Sequence, residues 1–570
     1  MELCENKFNG VSVMKKKFGY MLYIIIGIFF VLFCMAEYEL AAEGNIIWDG
    51  KWIGKLLAGS LITGTALGSL VAFILYWLEG KQVLKSVSQN WKLPGPKIVF
   101  GVSWLCTMLC WLPGYLAFYP GIIAYDFLIQ LGQMVEQAYN AHHPLAHTLL
   151  MEGCIRLGNL LGSGTAGLAF YVWVQMGILS AALAGGIALL RKWEVNAFWL
   201  ICLQLCAAFM PSHVYMSISA TKDTLFTAFM LLMVLMLCSL IGDRAKAVRL
   251  GWCDAGYILF AVLAVLFRNN GIYAIMIMAI FFLPAAVFGR LARKLWVKIL
   301  AETIVGLVAG SMMLTALFHV TGAVQGDKRE MLSMPIQQLA RTMVYHGGVG
   351  VVPEDDDTIE AEDKALINEF ILYEAYKNYR PDISDPVKGN TNTYVFVYRM
   401  KDFLKTYLTL FADYPGDYVN AALAVNAGYF SPFDQSHAYV NQYGGLEGLG
   451  YIQTRWQDPD ALDIERDSKW PWILGKMEHF ADQNVYLKIP LLRYLMVPGT
   501  YLWLSLVTAV WLFLHKRYRL LFPFGLIMGY YATLFLGPTV QMRYIYPVMT
   551  ILPYLAAWSL NIIYKDKEKA

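Results

Sequence analysis

Seven ionisable residues stand where a long apolar chain has least reason to carry them: Asp126, His142, His143, Lys222, Asp223, Arg268 and Arg543. Asp126 follows a Tyr119-Pro120-Gly121 turn and opens the stretch FLIQLGQMV, whose apolar side gains nothing from a carboxylate. His142 and His143 precede Pro144, which suits a first helical position. Lys222 and Asp223 head the run TLFTAFMLLMVLML, where an acid complements the helix dipole and Ser219 or Thr221 can cap the helix. Arg268 separates LAVLF from GIYAI, and Arg543 opens RYIYP. A carboxylate in such company suits a general base, and the cations suit a phosphate-bearing lipid head group. Burying these groups in a bilayer costs several kcal/mol, which makes them functional candidates by default.

Each residue also has a plainer explanation. A lone Arg at a helix end snorkels to the head groups, Asp223 can serve only as a cap, and the two histidines can be interfacial packing residues. The run Glu354-Asp355-Asp356-Asp357 could hold a cation but reads better as a solvated loop.

The elements that must position these residues follow from composition. Of 570 residues, 58% are hydrophobic and 15% charged, where a soluble domain is about a quarter charged. Apolar runs of about 18 residues or more need a bilayer as solvent. Twelve such segments are expected, near 18–37, 56–78, 98–118, 166–190, 196–213, 222–241, 252–267, 270–288, 297–319, 497–515, 520–537 and 543–563. Basic residues alternate between the gaps: Lys15–Lys17, Lys81/Lys85/Lys92/Lys97, Arg191/Lys192, Arg244/Lys246/Arg249, Arg290/Arg293/Lys294/Lys298, His515/Lys516/Arg517/Arg519 and Lys565/Lys567/Lys569 all fall on one side. The positive-inside rule makes that side cytoplasmic, with both termini, and places residues 320–495 outside the cytoplasm of a plasma membrane. All seven candidates then lie at the outer interface.

The fold expected is an all-α polytopic membrane protein with a mainly α extracytoplasmic domain. Residues 1–95 read as a two-helix addition, 96–320 as a seven-helix core with a first external loop at 119–165, 321–495 as the extracytoplasmic domain and 496–570 as a three-helix segment. The loop is long and apolar enough for two amphipathic helices lying along the membrane surface. Residues 321–495 carry 25 Asp and Glu against 16 Lys and Arg. Helical periodicity covers Lys328–Val344 and Ile359–Tyr379, and Tyr407–Ala427 reads as amphipathic. Nine cysteines precede this domain without a CxxC or Cys/His spacing, which argues against a disulfide framework or structural zinc. The net charge of +3 gives no argument for nucleic acid, and none is expected as a partner.

Order and motifs resemble the GT-C superfamily of polyprenyl-phosphate-sugar-dependent membrane glycosyltransferases, and especially its protein O-mannosyltransferase and aminoarabinose transferase branch. Those proteins place an essential Asp in a long first external loop, an H-P-P-L-type motif at the second juxtamembrane helix, an acidic residue before the fourth core helix, and R-Y-x-x-P near the last one. Asp126, His143-Pro144-Leu145, Asp223 and Arg543–Pro547 stand at the matching places. Tyr125 replaces the paired acid of many relatives, and Leu145 replaces the second proline. The chain also resembles an uncharacterised family of polytopic proteins from Gram-positive bacteria, in which REMLSMPIQQLAR (Arg329–Arg341) recurs.

The resemblance implies an inverting transfer from a polyprenyl-phosphate-linked sugar to a glycan, lipid or protein acceptor. Asp126 would be the general base and Arg268, Arg543 and Lys222 the phosphate partners, with Asp223 and the histidines orienting them. It leaves room for a divalent cation between Asp126 and Asp223, as in some members, although no dedicated oxygen-ligand cluster stands out. Trp456, Trp470 and Trp472 could stack on a glycan or pack the domain itself. Two other classes stay open. A transporter or flippase of a lipid-linked substrate would show related halves and broken helices; an assembly or sensor protein would need no outer carboxylate.

Overall fold

A chain this apolar can satisfy its backbone in a membrane only by forming helices or a closed barrel. The computed structural model takes the first course. It describes residues 2–81, 93–123, 126–242, 250–288, 293–433, 452–454, 456, 459 and 462–568. Tyr125 and the basic loop residues Lys85, Lys92, Arg244, Lys246, Arg249, Arg290 and Lys569 lie outside the described residues. Among those described there is no strand, and only isolated β-bridges link the loops.

A hairpin of α1 (Glu2–Glu43) and α2 (Gly50–Lys81) comes first. α3 (Pro96–Ala117) leads to two shorter helices, α4 (Phe127–Glu136) and α5 (Leu145–Leu160), in the expected first loop, and then to α6 (Gly164–Lys192). α7 (Ala197–Phe209) and α8 (Pro211–Ile218) form one path bent by 47°. Then come α9 (Lys222–Gly242), α10 (Trp252–Phe267), α11 (Asn269–Phe288) and α12 (Arg293–Thr321). The 321–495 segment holds α13 (Ser333–His346), α14 (Ala361–Phe370), α15 (Met400–Asp413), α16 (Pro415–Phe430) and α17 (Pro471–Asp482). α18 (Pro490–Met496) turns by 82° into α19 (Gly499–Leu514), and α20 (Phe522–Leu534) and α21 (Met542–Glu568) complete the chain.

Each of the twelve expected segments is helical, but fewer have the length and composition of a full crossing. Eight described helices are long and apolar enough to span a membrane, or up to ten if each bent pair is one crossing. The 16 residues of α10 and 13 of α20 fall short of a full span. Proline explains the bends, since Pro211 and Pro498 each restrict the preceding residue to extended backbone. The same physics splits the expected 407–427 helix at Tyr414-Pro415, into α15 and α16. The expected 359–379 helix is broken at Tyr373 and Glu374, which adopt left-handed backbone.

α9 is the most enclosed of these helices. It packs against α6, α10 and α21, and nearly all its side chains are buried. Its N-terminus therefore presents Lys222 and Asp223 to the protein interior. The loop before it is fastened: the Ile122 N–H donates to the Ile218 carbonyl (2.9 Å), the Ala220 N–H to Ile122 (3.1 Å), and Gln175 Nε2 to the Ser217 and Ser219 carbonyls (2.9 and 2.7 Å). This pairing brings the Asp126 loop to the head of α9. The 321–495 segment closes over the same end of the bundle. Its Val324 pairs with the Tyr139–Ala141 strand of loop, and its Ser384 N–H donates to the Pro538 carbonyl (2.9 Å) just before α21.

Candidate functional site

Asp126 sits at the N-cap of α4, yet its side chain makes no capping bond. It turns instead to Lys222 Nζ, 2.5 Å from Oδ2, and to Arg543 Nη1, 2.8 Å from the same oxygen. Lys222 Nζ also donates to His143 Nδ1 at 3.0 Å, and that imidazole nitrogen lies 3.8 Å from Asp126. One residue further along α9, Asp223 is fully buried and ion-paired with Arg268 through Oδ1. Its Oδ2 accepts from the Thr221 hydroxyl at 3.2 Å and lies 3.9 Å from Arg543. Thr221 thus serves the carboxylate rather than capping the helix. Six side chains from five separate stretches form one cluster.

Two arginines and one lysine face two carboxylates, which leaves one positive charge in excess when Lys222 is protonated. Burial pushes the Asp126 carboxyl up, but Lys222 and Arg543 outweigh it and hold the group well below the usual carboxylate range. Burial, reinforced by the Lys222 charge, brings His143 down to about 3, so the imidazole is neutral. Because Lys222 donates to Nδ1, the ring hydrogen belongs on Nε2, which is buried without a hydrogen-bond partner. Aromatic faces hold the guanidinium groups in place. Arg268 lies over Phe226, Tyr530 and Tyr544 at 5.4, 5.8 and 5.2 Å, and Arg543 lies 4.8 Å over Tyr544. Gln541 Oε1 accepts from Arg543 Nε at 2.6 Å.

Of the residues picked from the sequence, Asp126, His143, Lys222, Asp223, Arg268 and Arg543 come together. His142 does not join them. It is exposed, its ring packs edge-on against His143, and its Nδ1 is 3.8 Å from Glu330 of the 321–495 segment. Pro144 is the N-cap of α5 rather than its first residue. Tyr544 enters the sequence reading only as part of the R-Y-x-x-P match, and Gln541, Tyr530 and Phe226 are given no role in it; closeness to Arg543 and Lys222 in sequence could have pointed to Gln541 and Phe226. A divalent cation bridging Asp126 and Asp223 does not fit, because the Arg543 guanidinium already lies between the two carboxylates, with Lys222 on Asp126 and Arg268 on Asp223. Among the described residues, no group of three or more His, Cys, Asp or Glu could share a metal ion. The acidic run is a structural loop: Asp355 accepts from the Gly348 and Gly350 N–H groups, Asp356 meets His346, and Asp357 pairs with Lys364. Trp470 and Trp472 are exposed, while Trp456 packs against the main core.

Fold and site define an all-helical, multi-pass membrane protein with a buried, cation-rich ion cluster at one end of its bundle. The chain belongs to the family of unknown function DUF6020, whose profile matches residues 134–569. That match includes five of the six clustered residues; Asp126 lies just before it. No curated protein and no solved structure matches the chain.

Proposed function

We propose that this protein is an inverting glycosyltransferase of the cell membrane, taking a sugar from a polyprenyl-phosphate donor to an acceptor outside the cytoplasm. The proposal includes the orientation read from the basic loops, with both termini cytoplasmic and the 321–495 segment outside. The observation that carries it is the Asp126 carboxylate held between Lys222 and Arg543 in a cluster with one cation in excess. An anionic phosphate suits that excess, and in binding it competes with Asp126 for the same two cations.

The chemistry then runs in one direction. The donor phosphate engages Lys222, Arg543 and Arg268, and Asp126 is released to act as a base. As the acceptor oxygen or nitrogen attacks the anomeric carbon, its proton passes to Asp126. The bond from that carbon to the phosphate oxygen breaks, and its electron pair leaves with the lipid phosphate. Cations stabilise that leaving group, so no general acid is needed. His143 and Asp223 hold Lys222 and Arg268 in position.

Purified protein incubated with bacterial lipid extract should consume a polyprenyl-phosphate sugar, followed by mass spectrometry. Asp126→Asn should slow this by about 100-fold or more, the usual worth of a positioned base. Equal rates for the two proteins would remove Asp126 from its role. A transporter or flippase is the second reading, favoured by the bent pairs α7–α8 and α18–α19. It predicts movement of a lipid-linked substrate across proteoliposomes with no donor consumed.

A further inference from the structure

α10 ends at Arg268 of the ion cluster, and its other end carries a second buried set of charges. Asp254, in its first turn, is ion-paired with Lys298 of α12 and accepts from the Gly251 N–H at 2.7 Å. Glu302, one turn along α12, has Oε1 3.8 Å from the same Lys298 nitrogen. Glu302 is 5% exposed, and neither of its oxygens has a hydrogen-bond partner. Two carboxylates that share one ammonium are necessarily neighbours. Ionised together, they would leave one uncompensated negative charge in an apolar bundle, a state that burial strongly disfavours. A proton on one carboxyl removes the charge and supplies a donor to the other.

We propose that Asp254 and Glu302 form a proton-binding site, in which one proton is held by the carboxyl pair and Lys298 balances the remaining charge. This site does not depend on the glycosyltransferase reading. The Glu302 carboxyl carries the proton and donates it towards Asp254. The neighbouring Leu250 and Trp252 are exposed, so this end of α10 is open to exchange. The other ionisable side chains on the helices packed against α10 and α12 are few. Tyr257 is bonded to Thr303 (2.8 Å), and Cys253 and Cys238 are thiols. On α5, His147 is bonded to Gln130 and Tyr171, and Glu152 pairs with Arg156. α11 offers only Tyr273, near its opposite end. On α9, Lys222 and Asp223 belong to the first cluster, and Arg293 and Lys294 at the start of α12 are exposed. Among the described residues, Lys298 is the cation that pairs with these carboxylates.

Infrared spectroscopy of the full-length protein in liposomes near neutral pH tests this. A protonated-carboxyl carbonyl band should shift in D2O and disappear in Glu302→Gln, while Asp126→Asn leaves it in place. Glu302→Gln, a neutral isostere of the protonated acid, should also fold and melt like the wild type, whereas Asp254→Asn melts lower because Lys298 loses its partner. Absence of the band, its survival in Glu302→Gln, or destabilisation by that substitution would each overturn the proposal.

Discussion

At the scale of single residues, the cluster is a set of charges whose states are fixed by their neighbours. Asp126 remains ionised because an ammonium and a guanidinium share one of its oxygens. His143 remains neutral because burial and Lys222 oppose a second cation there. Its folded pKa of about 3 lies below the ordinary 6.5, so the unfolded chain binds more protons between those values. His143 therefore contributes stability that is complete above about pH 6.5 and is lost as pH falls towards 3. Thermal midpoints of His143→Asn should fall less steeply with acid than those of the wild type; an identical slope would mean that the imidazole is not buried neutral. His346 has the opposite sign. Burial lowers its pKa, but Asp417 and Asp356 outweigh burial and raise it above 6.5. Its contribution is complete below the unfolded value and is lost as pH rises through the folded one. Residue type and depth were enough to find six of the clustered side chains. His142 failed because its exposed ring, although packed against His143, turns its nitrogen to Glu330 rather than to Lys222. The guanidinium contacts of Tyr544 and Tyr530 were illegible because an aromatic at a membrane interface looks the same in sequence whether it faces lipid or a guanidinium.

At the scale of elements, each described helix long and apolar enough to cross a membrane falls on an expected apolar run, yet hydropathy carries no information about bends and shortfalls. α20 reads as a span in hydropathy but forms only 13 helical residues after the Tyr518–Leu521 turn. The α1–α2 hairpin rests on a signal of another kind, Gly64-Thr65-Ala66-Leu67-Gly68, a small-xxx-small stripe that lets backbones touch. A Cβ on Gly64 would fall 2.5 Å from Ile28 Cα, and one on Gly68 2.3 Å from the Tyr23 carbonyl oxygen. Gly64→Val should therefore force the helices apart and lower stability by about 1–3 kcal/mol, the usual effect of overpacking. Ile62→Val, on an exposed face of the same helix, should change the melting temperature little.

At the scale of the whole molecule, the N-terminal hairpin is more than an addition. Arg341, fully buried in α13, reaches Asp417 of α16 (3.4 Å), Tyr379 (3.3 Å) and, in the turn between α1 and α2, Asn45 (2.5 Å) and the Gly44 carbonyl (3.5 Å). Asn420 and Trp48 extend that seam with a 2.9 Å hydrogen bond. Arg341→Met should cost about 3–5 kcal/mol by leaving Asp417 without its guanidinium, measurable as a lower melting point and faster proteolysis of the 44–49 turn. Nothing in the sequence linked Arg341 to a turn some 300 residues earlier, because contacts of such long range leave no local period. The bond between Arg543 and Asp126 is longer still, joining residues 417 positions apart. At the usual pace of synthesis, a ribosome takes roughly 20–80 s to travel from one to the other. During that interval the nascent chain already holds Asp126 and Lys222 but lacks the guanidinium that completes them. A chain that stops before α21 therefore keeps the Asp223–Arg268 pair but leaves Asp126 to Lys222 alone, so the cluster is finished only when the last of its cations has been made.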